Sequence, residues 1–461
     1  MGLACLIALG AVAGPALPLW KSTIRLPAIP FLLGLLVVVA LIRHLLFRGS
    51  TVWDSIALWR ERLDRRPDVA AAFRAFMATR PAVFLVAYFA VVTFGLAPTA
   101  SRILSDDPLA NLPVRFDAGW YGSIAMFGYQ WDGRFSKQAN IAFFPALPAL
   151  MQPVGDIIGA RGPGVTREGQ MLRYLWAGVF ISLASFFFGL MYLSRLSRLI
   201  VGADAASAAP MLLAAYPFAA FFNAPYTEGL FLLAAVGAFY HFHREQWIAA
   251  SLFGLLVGLS RPNGCLVSVP LAILGAQAIS SHWRSDPGRA PLSSLVRPAA
   301  VRLFVAAMPG FAMLGFTAYL RQETGVWFAW ARMQEAWGRT LGIRPMAQGW
   351  EWLTTEGLMP VTRGVPFDTL NTLAVLFVLA MSWTVLRRVG LAYVMFVALN
   401  LLPPVFTGGA LSMGRITSTL FPVFIALAAR LPRQAVPLWV TGFAVLQGLV
   451  ATLFFTWREL F

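Results

Sequence analysis

Apolar runs follow one another along almost the whole chain, separated by short polar segments. A helix needs roughly 20 apolar residues to cross a bilayer core of ~30 Å, and most of these runs approach that length. The pattern therefore predicts about thirteen membrane-spanning helices. They lie near residues 1–20, 26–47, 81–98, 174–194, 205–222, 229–243, 247–260, 264–280, 301–320, 369–386, 390–406, 417–430 and 436–456.

The composition supports this interpretation. Of 461 residues, 59% are hydrophobic and only 12% are charged, with a mean hydropathy of +0.70. Soluble domains carry about 25% charged residues, so these charges cannot cover a water-exposed surface. The same composition excludes a disordered chain and a nucleic-acid-binding protein. A disulfide scaffold is excluded as well, because the chain has only two cysteines, Cys5 and Cys265, and both lie in apolar runs. We predict an all-α polytopic membrane protein.

The net charge of +16 is concentrated in arginines near the ends of the apolar runs, where such residues fix orientation. Arginine-rich loops occur within 48–80, which includes Arg80, and then in alternate later loops. Placing these loops in the cytoplasm requires that residues 141–158 do not cross the membrane. Pro145 and Pro148 interrupt that stretch, so a juxtamembrane or re-entrant segment is expected. The predicted outer segments are 99–173, 223–228, 261–263, 321–368 and 407–416.

The N-terminal part of the chain is expected to be an extension. The first apolar run lacks a positive region before it, which favours a retained span over a cleaved signal peptide. Met77 provides a second plausible start just before the 81–98 run. We therefore predict an extension over 1–76, with two spans and a basic amphipathic cytoplasmic segment, followed by a catalytic membrane domain over 77–461.

The first predicted outer segment contains a carboxylate among aromatic residues. Asp117 lies two residues after Arg115 and shortly before Trp120 and Tyr121. A carboxylate at the membrane surface in this setting is typical of a general base that takes a proton from a hydroxyl group. The alternative is that Asp117 caps a short interfacial helix while the aromatic residues form an interfacial belt.

Other charged residues lie at the ends of apolar runs: Glu228, Arg261 and Arg415. Polar groups at membrane depth are costly and usually functional. Two arginines there could grip a lipid phosphate through their forked donors. The alternative is a purely structural Arg–Glu pair, for instance between Arg261 and Glu228.

A further patch of aromatic and charged residues occupies the long outer segment around Trp330 and Arg332. It is expected either to contact a sugar or to lie on the bilayer as an amphipathic helix. The sequence has no Asp-x-Asp pair and its histidines lack the spacing of metal ligands, so no metal cofactor is expected.

Several segments together resemble a known family. These are Arg115-Phe-Asp-Ala-Gly-Trp-Tyr121, Phe143-Phe-Pro-Ala-Leu-Pro148, Tyr226-Thr-Glu228, Arg261-Pro-Asn-Gly264 and the stretch from Gly325 to Gly338. In this order they resemble the PIG-V mannosyltransferases, bacterial relatives of the second mannosyltransferase of glycosylphosphatidylinositol assembly. The resemblance covers about residues 77–430. Phe116 is a mild departure, because the family pattern commonly has Trp before the aspartate.

The resemblance implies a GT-C glycosyltransferase that uses a polyprenyl-phosphate sugar, such as dolichyl phosphate mannose. It implies transfer of mannose or a similar hexose to an extracytoplasmic lipid or glycan at the bacterial inner membrane, with inversion and Asp117 as base. No nucleic acid or obligate protein partner is implied. The expected donor-phosphate residues are Arg261, Arg415 and Arg332, and the expected substrate-binding residues are Arg115, Trp120, Tyr121, Tyr226, Glu228, Asn263 and Trp330. A transferase of arabinose or aminoarabinose and a lipid-linked sugar flippase or transporter remain alternatives.

Overall fold

The computed structural model describes residues 16–19, 22–25, 60–63, 65–100, 103–285, 292–339, 366–408 and 412–458. This part of the chain is dominated by α-helices. They are α1 (Pro67–Phe94), α2 (Ala118–Phe127), α3 (Ala146–Ile157), α4 (Arg167–Ile200), α5 (Ala203–Ala215), α6 (Glu228–His243), α7 (Trp247–Ser260), α8 (Ser268–Ser285), α9 (Leu292–Thr324), α10 (Ala329–Arg332), α11 (Pro366–Arg388), α12 (Leu391–Gly408), α13 (Met413–Thr417), α14 (Phe421–Arg430) and α15 (Val436–Phe455). Short 3₁₀ helices are Asn140–Ala142, Pro217–Asn223, Pro262–Val267, Met333–Trp337 and Arg433–Ala435.

A small hairpin replaces the end of the first predicted helix. Strand β1 (Ala16–Leu19) pairs antiparallel with β2 (Ser22–Arg25). The prediction of a helix to residue 20 is therefore wrong over residues 16–19. Pro18 lies in β1. Proline is unfavourable inside a helix, and it also disfavours a helical conformation of the residue before it. The rest of the 1–20 prediction and the whole 26–47 span lie outside the described residues.

Six described helices are long and apolar enough to cross a membrane, and α5 with the following 3₁₀ helix forms a seventh candidate bent by 78°. The six are Pro67–Phe94, Arg167–Ile200, Pro262–Ser281, Leu295–Thr324, Thr369–Arg388 and Arg433–Phe455. The prediction of an all-α, multi-pass membrane protein is confirmed, whereas the count of about thirteen spans is not.

Several expected spans are shorter helices. Helices α6 and α7 have 16 and 14 residues, and at 1.5 Å per residue each is shorter than the ~30 Å bilayer core. The stretch 141–158 folds as a 3₁₀ turn and the 12-residue α3, so it forms no candidate span. The domain boundary expected after residue 76 falls inside α1, which is continuous there, and the division into two domains stays a prediction.

Helix α6 lies at the centre of the bundle and is buried on nearly all sides. It packs between α4 and α7. Gly229 permits the close approach to α4, because a Cβ atom there would lie 2.4 Å from the carbonyl oxygen of Ser182. Small residues allow helix backbones to approach in this way. Glu228, the first residue of α6, is thereby fixed in the interior.

Arg80 lies inside the bundle, and not among the cytoplasmic loop charges with which its sequence position groups it. Helix α5 ends at Ala215 because Tyr216 precedes Pro217 and takes an extended ψ of 140°. The ends of helices leave carbonyl groups without intrahelical partners. Arg80 donates to the carbonyl oxygens of Ala214 at 2.7 Å and Ala219 at 2.5 Å, and so satisfies carbonyls at this bend.

Replacing Arg80 by methionine should destabilise the protein. Each buried acceptor left without a donor costs about 1–3 kcal/mol, so the free energy of unfolding should fall by about 3 kcal/mol or more. Thermal unfolding in lipid nanodiscs measures this change. Leu85→Ala, at an exposed position of the same helix, is the control. Equal stability of Arg80→Met and Leu85→Ala would contradict the structural role of Arg80.

Candidate active site

Asp117 immediately precedes helix α2, but its side chain does not cap the helix. Its side chain makes no capping hydrogen bond, although it occupies the N-cap position. The preceding residue, Phe116, has a φ of 41°, an uncommon conformation for a bulky residue. This turn directs the Asp117 carboxylate to Arg415, whose Nη1 donates to Oδ2 at 2.8 Å. The capping alternative therefore does not describe the side chain of Asp117.

Tyr226 fixes the turn that carries Asp117. Its hydroxyl donates to the carbonyl oxygen of Arg115 at 3.2 Å and accepts from the backbone N–H of Asp117 at 3.1 Å. Burial raises the pKa of Tyr226 well above its usual value, so the hydroxyl is a neutral donor and acceptor. Tyr226 therefore positions Asp117 from behind.

Arg415 is buried between two carboxylates. It lies in the short helix α13, which follows Ser412 at a φ of 59°. Its Nε lies 2.8 Å from Oε1 of Glu228, and its Cζ lies 5.0 Å from the centroid of the Tyr226 ring. Burial alone would lower the pKa of Arg415, but Glu228 and Asp117 outweigh burial and raise it above its usual value. Arg415 is therefore a permanent cation.

Arg261 completes the set of charges. It is extended, with φ −156° and ψ 156°, between α7 and the 3₁₀ helix that starts at Pro262, as expected for a residue before proline. Its Nη2 donates to Oε1 of Glu228 at 3.0 Å. Asp117, Arg415, Glu228 and Arg261 thus form a row of alternating charges, here called the ion-pair row.

The ion-pair row keeps hydrogen-bonding capacity. Glu228 is 1% exposed and Arg261 8% exposed, yet Glu228 Oε2 and Arg261 Nη1 have no hydrogen-bond partner among the described residues. Buried polar atoms are normally paired. The expected Arg261–Glu228 ion pair is present. It leaves one guanidinium donor of Arg261 and one carboxylate oxygen of Glu228 available for a further hydrogen bond.

A cavity of about 780 Å³, here called the main cavity, opens beside the ion-pair row. Of the residues expected at the site, it is lined by Asp117, Tyr121, Arg261, Asn263, Trp330 and Arg415. Glu228 and Tyr226 lie behind this lining and contact Arg415. The structure therefore brings together residues from four distant parts of the chain.

Three expected residues lie elsewhere. Arg115 is buried, and its donors go to the carbonyl oxygens of Phe455 and Asn111, both at 2.7 Å, so it holds the chain around Asp117. Trp120 stacks on Phe143, with ring centroids 5.9 Å apart, and faces a neighbouring cavity. Arg332 is exposed, and its Cζ lies 4.4 Å from the ring centroid of Phe135. It does not line the main cavity.

Arg339 belongs to the aromatic and charged patch of the long outer segment, but it was not among the expected site residues. It lines the main cavity, where burial and the nearby Arg415 lower its pKa to about 10, so it stays protonated at neutral pH. Helical spacing was a usable signal for its neighbours, because Trp330, Gln334 and Trp337 recur at steps of four and three and line the cavity together. The four groups of the ion-pair row and the Arg339 guanidinium together carry a net charge of +1.

Within the described parts of the chain, no three His, Cys, Asp or Glu side chains lie close enough together to hold a metal ion. The expectation of metal independence stays a prediction.

Part of the chain is similar to a known protein family. Residues 96–325 match the family model described as mannosyltransferase (PIG-V). The matched segment contains Asp117, Glu228 and Arg261. The chain is a multi-pass membrane protein, and this segment is similar to glycosyltransferases of the mannosyltransferase class. The match over residues 96–325 confirms the resemblance to the PIG-V mannosyltransferases drawn from the motifs.

Two solved structures show a weaker likeness. ArnT from Cupriavidus metallidurans bound to undecaprenyl phosphate has 15% sequence identity and a TM-score of 0.42, over 79% of this chain and 62% of that chain. The oligosaccharyltransferase of Archaeoglobus fulgidus, a complex with Zn and sulfate, has 14% identity and a TM-score of 0.38, over 82% and 53% of the two chains. This chain thus spans less than two thirds of either neighbour. No curated protein matches the sequence.

The bridging role of Glu228 is open to a double-mutant cycle. Glu228→Gln leaves two buried guanidinium groups without their shared carboxylate, and breaking a buried pair costs about 3–5 kcal/mol. We expect this loss in the free energy of unfolding, and a smaller loss than the sum of the single changes when Arg261→Met is added. Thermal unfolding in nanodiscs measures both. Strict additivity of the two changes would contradict a shared ion-pair row.

Proposed function

We propose that this protein transfers mannose, or a similar hexose, from a polyprenyl phosphate to a lipid or glycan acceptor with inversion. The reaction would take place on the extracytoplasmic side of a bacterial inner membrane. The observation that carries the proposal is that Asp117 faces the main cavity together with Arg261, Arg339 and Arg415. The Asp117 carboxylate can act as a base there, and the three guanidinium groups provide an anion site.

The three arginines suit a lipid phosphate. Guanidinium groups bind phosphate through paired N–H donors, and Arg261 keeps a buried donor, Nη1, without a partner among the described residues. Pro403 and Pro404 of the apolar helix α12 form another part of the cavity lining. This combination supports a donor whose charged head lies at the arginines and whose apolar chain lies along α12.

The proposed step needs only one proton transfer within the cavity. An acceptor hydroxyl oxygen attacks the anomeric carbon from the face opposite the phosphate and forms the glycosidic bond. The bond between that carbon and the phosphate oxygen breaks, and its electron pair leaves with the phosphate. The hydroxyl proton passes to the Asp117 carboxylate, which Arg415 and Tyr226 hold in place. Arg261 and Arg339 stabilise the charge of the leaving phosphate.

Asp117→Asn tests the base. General-base catalysis contributes roughly 10²–10⁴-fold to rate, so kcat should fall by about that factor while donor binding changes little. The assay incubates the purified protein with polyprenyl-phosphate-mannose and membrane lipids and follows a mass shift of one hexose. Asp106→Asn, at an exposed position of the same outer segment, is the control. Partial activity of Asp117→Asn with unconsumed donor would favour the transporter alternative.

We further propose that the reaction needs no divalent metal ion, because Arg261, Arg339 and Arg415 supply the positive charge that a phosphate leaving group requires. Turnover of the purified protein should therefore be unchanged after treatment with a strong chelator and dialysis. Metal is then added back as the control for damage by the chelator. Loss of turnover that Mg²⁺ or Mn²⁺ restores would contradict this proposal.

A further inference from the structure

A second cavity, of about 630 Å³, lies beside the main one and has no role in the step described above. Its lining combines hydrogen-bonding side chains with aromatic rings. The hydrogen-bonding residues include Ser123, Gln130, Gln138 and Asn140, and the aromatic residues are Trp120, Tyr129 and Trp131. No residue lines both cavities.

The two cavities are separated by a thin aromatic wall. Trp120 lines the second cavity and stacks on Phe143, which lines the main cavity. Trp337, also of the main cavity, meets the edge of Trp120 at a centroid distance of 5.8 Å. The wall continues through the 3₁₀ helix Asn140–Ala142, with Asn140 on one side and Ala142 on the other. Asp117 lies only three residues before Trp120, so the second cavity adjoins the proposed base.

The wall is built by polar contacts of Asn140, and not only by packing. Its Oδ1 accepts from the backbone N–H of Gln130 at 2.8 Å, and its Nδ2 donates to the carbonyl oxygen of Gly128 at 3.0 Å. Asn140 is buried. The second cavity therefore has one wall that hydrogen bonds hold in place, and it opens to solvent on the polar side at Lys137 and Gln138, which are exposed.

The linings differ in charge. The main cavity has Arg261, Arg339 and Arg415 against Asp117 and Glu335, a net charge of +1. The second cavity has Lys137 against Asp132 and Glu323, a net charge of −1. An anionic donor head therefore favours the main cavity, and the second cavity disfavours a negatively charged occupant.

We propose that the second cavity binds the acceptor, through an uncharged sugar ring that presents its hydroxyl to Asp117 across the edge of the aromatic wall. Amide and hydroxyl side chains match the hydroxyl groups of a sugar, and aromatic rings match its apolar faces. The inference rests on the proposed function, since it assigns the second substrate of the same reaction. It names a glycan or glycolipid head as the acceptor class.

Thiol labelling distinguishes the two cavities in nanodiscs. Cys265 lines the main cavity and reports on it in a Cys5→Ser background. Gln138→Cys, in a background that also has Cys265→Ser, reports on the second cavity. Undecaprenyl phosphate should slow maleimide labelling of Cys265 several-fold and leave Gln138→Cys unchanged. The neutral probe p-nitrophenyl α-mannoside should slow labelling of Gln138→Cys and leave labelling of Cys265 unchanged. The anionic p-nitrophenyl glucuronide should protect Gln138→Cys less than the mannoside does.

The outcomes separate this inference from the proposed function. Protection of Cys265 alone by the mannoside, or protection of neither thiol by it, overturns the inference while the donor arm still stands. Failure of undecaprenyl phosphate to protect Cys265 overturns the donor assignment instead.

A charge variant completes the test. Glu323→Gln combined with Asp132→Asn should reduce the difference between the protection of Gln138→Cys by the mannoside and its protection by the glucuronide. Glu168→Gln, at an exposed position at the start of α4 on the same predicted outer side, should not change it. An unchanged difference in the double variant would overturn the charge argument.

Discussion

The geometry of the site depends on one buried carboxylate that two guanidinium groups share. Glu228 is almost fully enclosed, and its Oε1 lies within 3.0 Å of donors of both Arg261 and Arg415. A buried charge of this kind is tolerated only when it is paired. Because Arg415 in turn holds Asp117, the position of the proposed base is set by a residue that does not line the cavity. Gly229 and the close α4–α6 contact fix that residue.

The two neighbouring cavities have opposite net charge, which suits the proposed separation of a donor site from an acceptor site. Three guanidinium groups and two carboxylates line the cavity on one side of the Trp120–Phe143 contact, whereas one lysine and two carboxylates line the cavity on the other side. An anionic leaving group and a neutral nucleophile require such different surroundings. The proposed base lies where they meet, at the start of α2, because the unusual turn at Phe116 points it away from its own helix.

Much of this site was predictable from the sequence, for a physical reason. Four charged residues interrupt or end apolar runs: Asp117, Glu228, Arg261 and Arg415. A charge at such a position is energetically costly and usually functional. Arg332 was expected to bind the donor phosphate, and Arg339 was expected only as a member of the aromatic and charged patch. Both lie in one stretch of sequence, which does not reveal the turn at Gly338, with a φ of 68°. Arg115 looked like a substrate ligand, since composition does not reveal that its donors go to backbone carbonyls. The structural role of Arg80 was not predictable for the same reason. The count of about thirteen spans is not confirmed, because short buried helices such as α6 are as apolar as spanning ones.

The members of the ion-pair row are unevenly spaced along the chain, which has a consequence for biogenesis. Glu228 and Arg261 are 33 residues apart, whereas 298 residues separate Asp117 from Arg415. During synthesis, Glu228 can therefore be neutralised by Arg261 soon after it emerges, whereas Asp117 pairs with Arg415 only after 298 further residues. Until the segment with Arg415 has been inserted, the cavity beside Asp117 is incomplete, and the Asp117 carboxylate lacks the guanidinium group that it contacts in the folded protein.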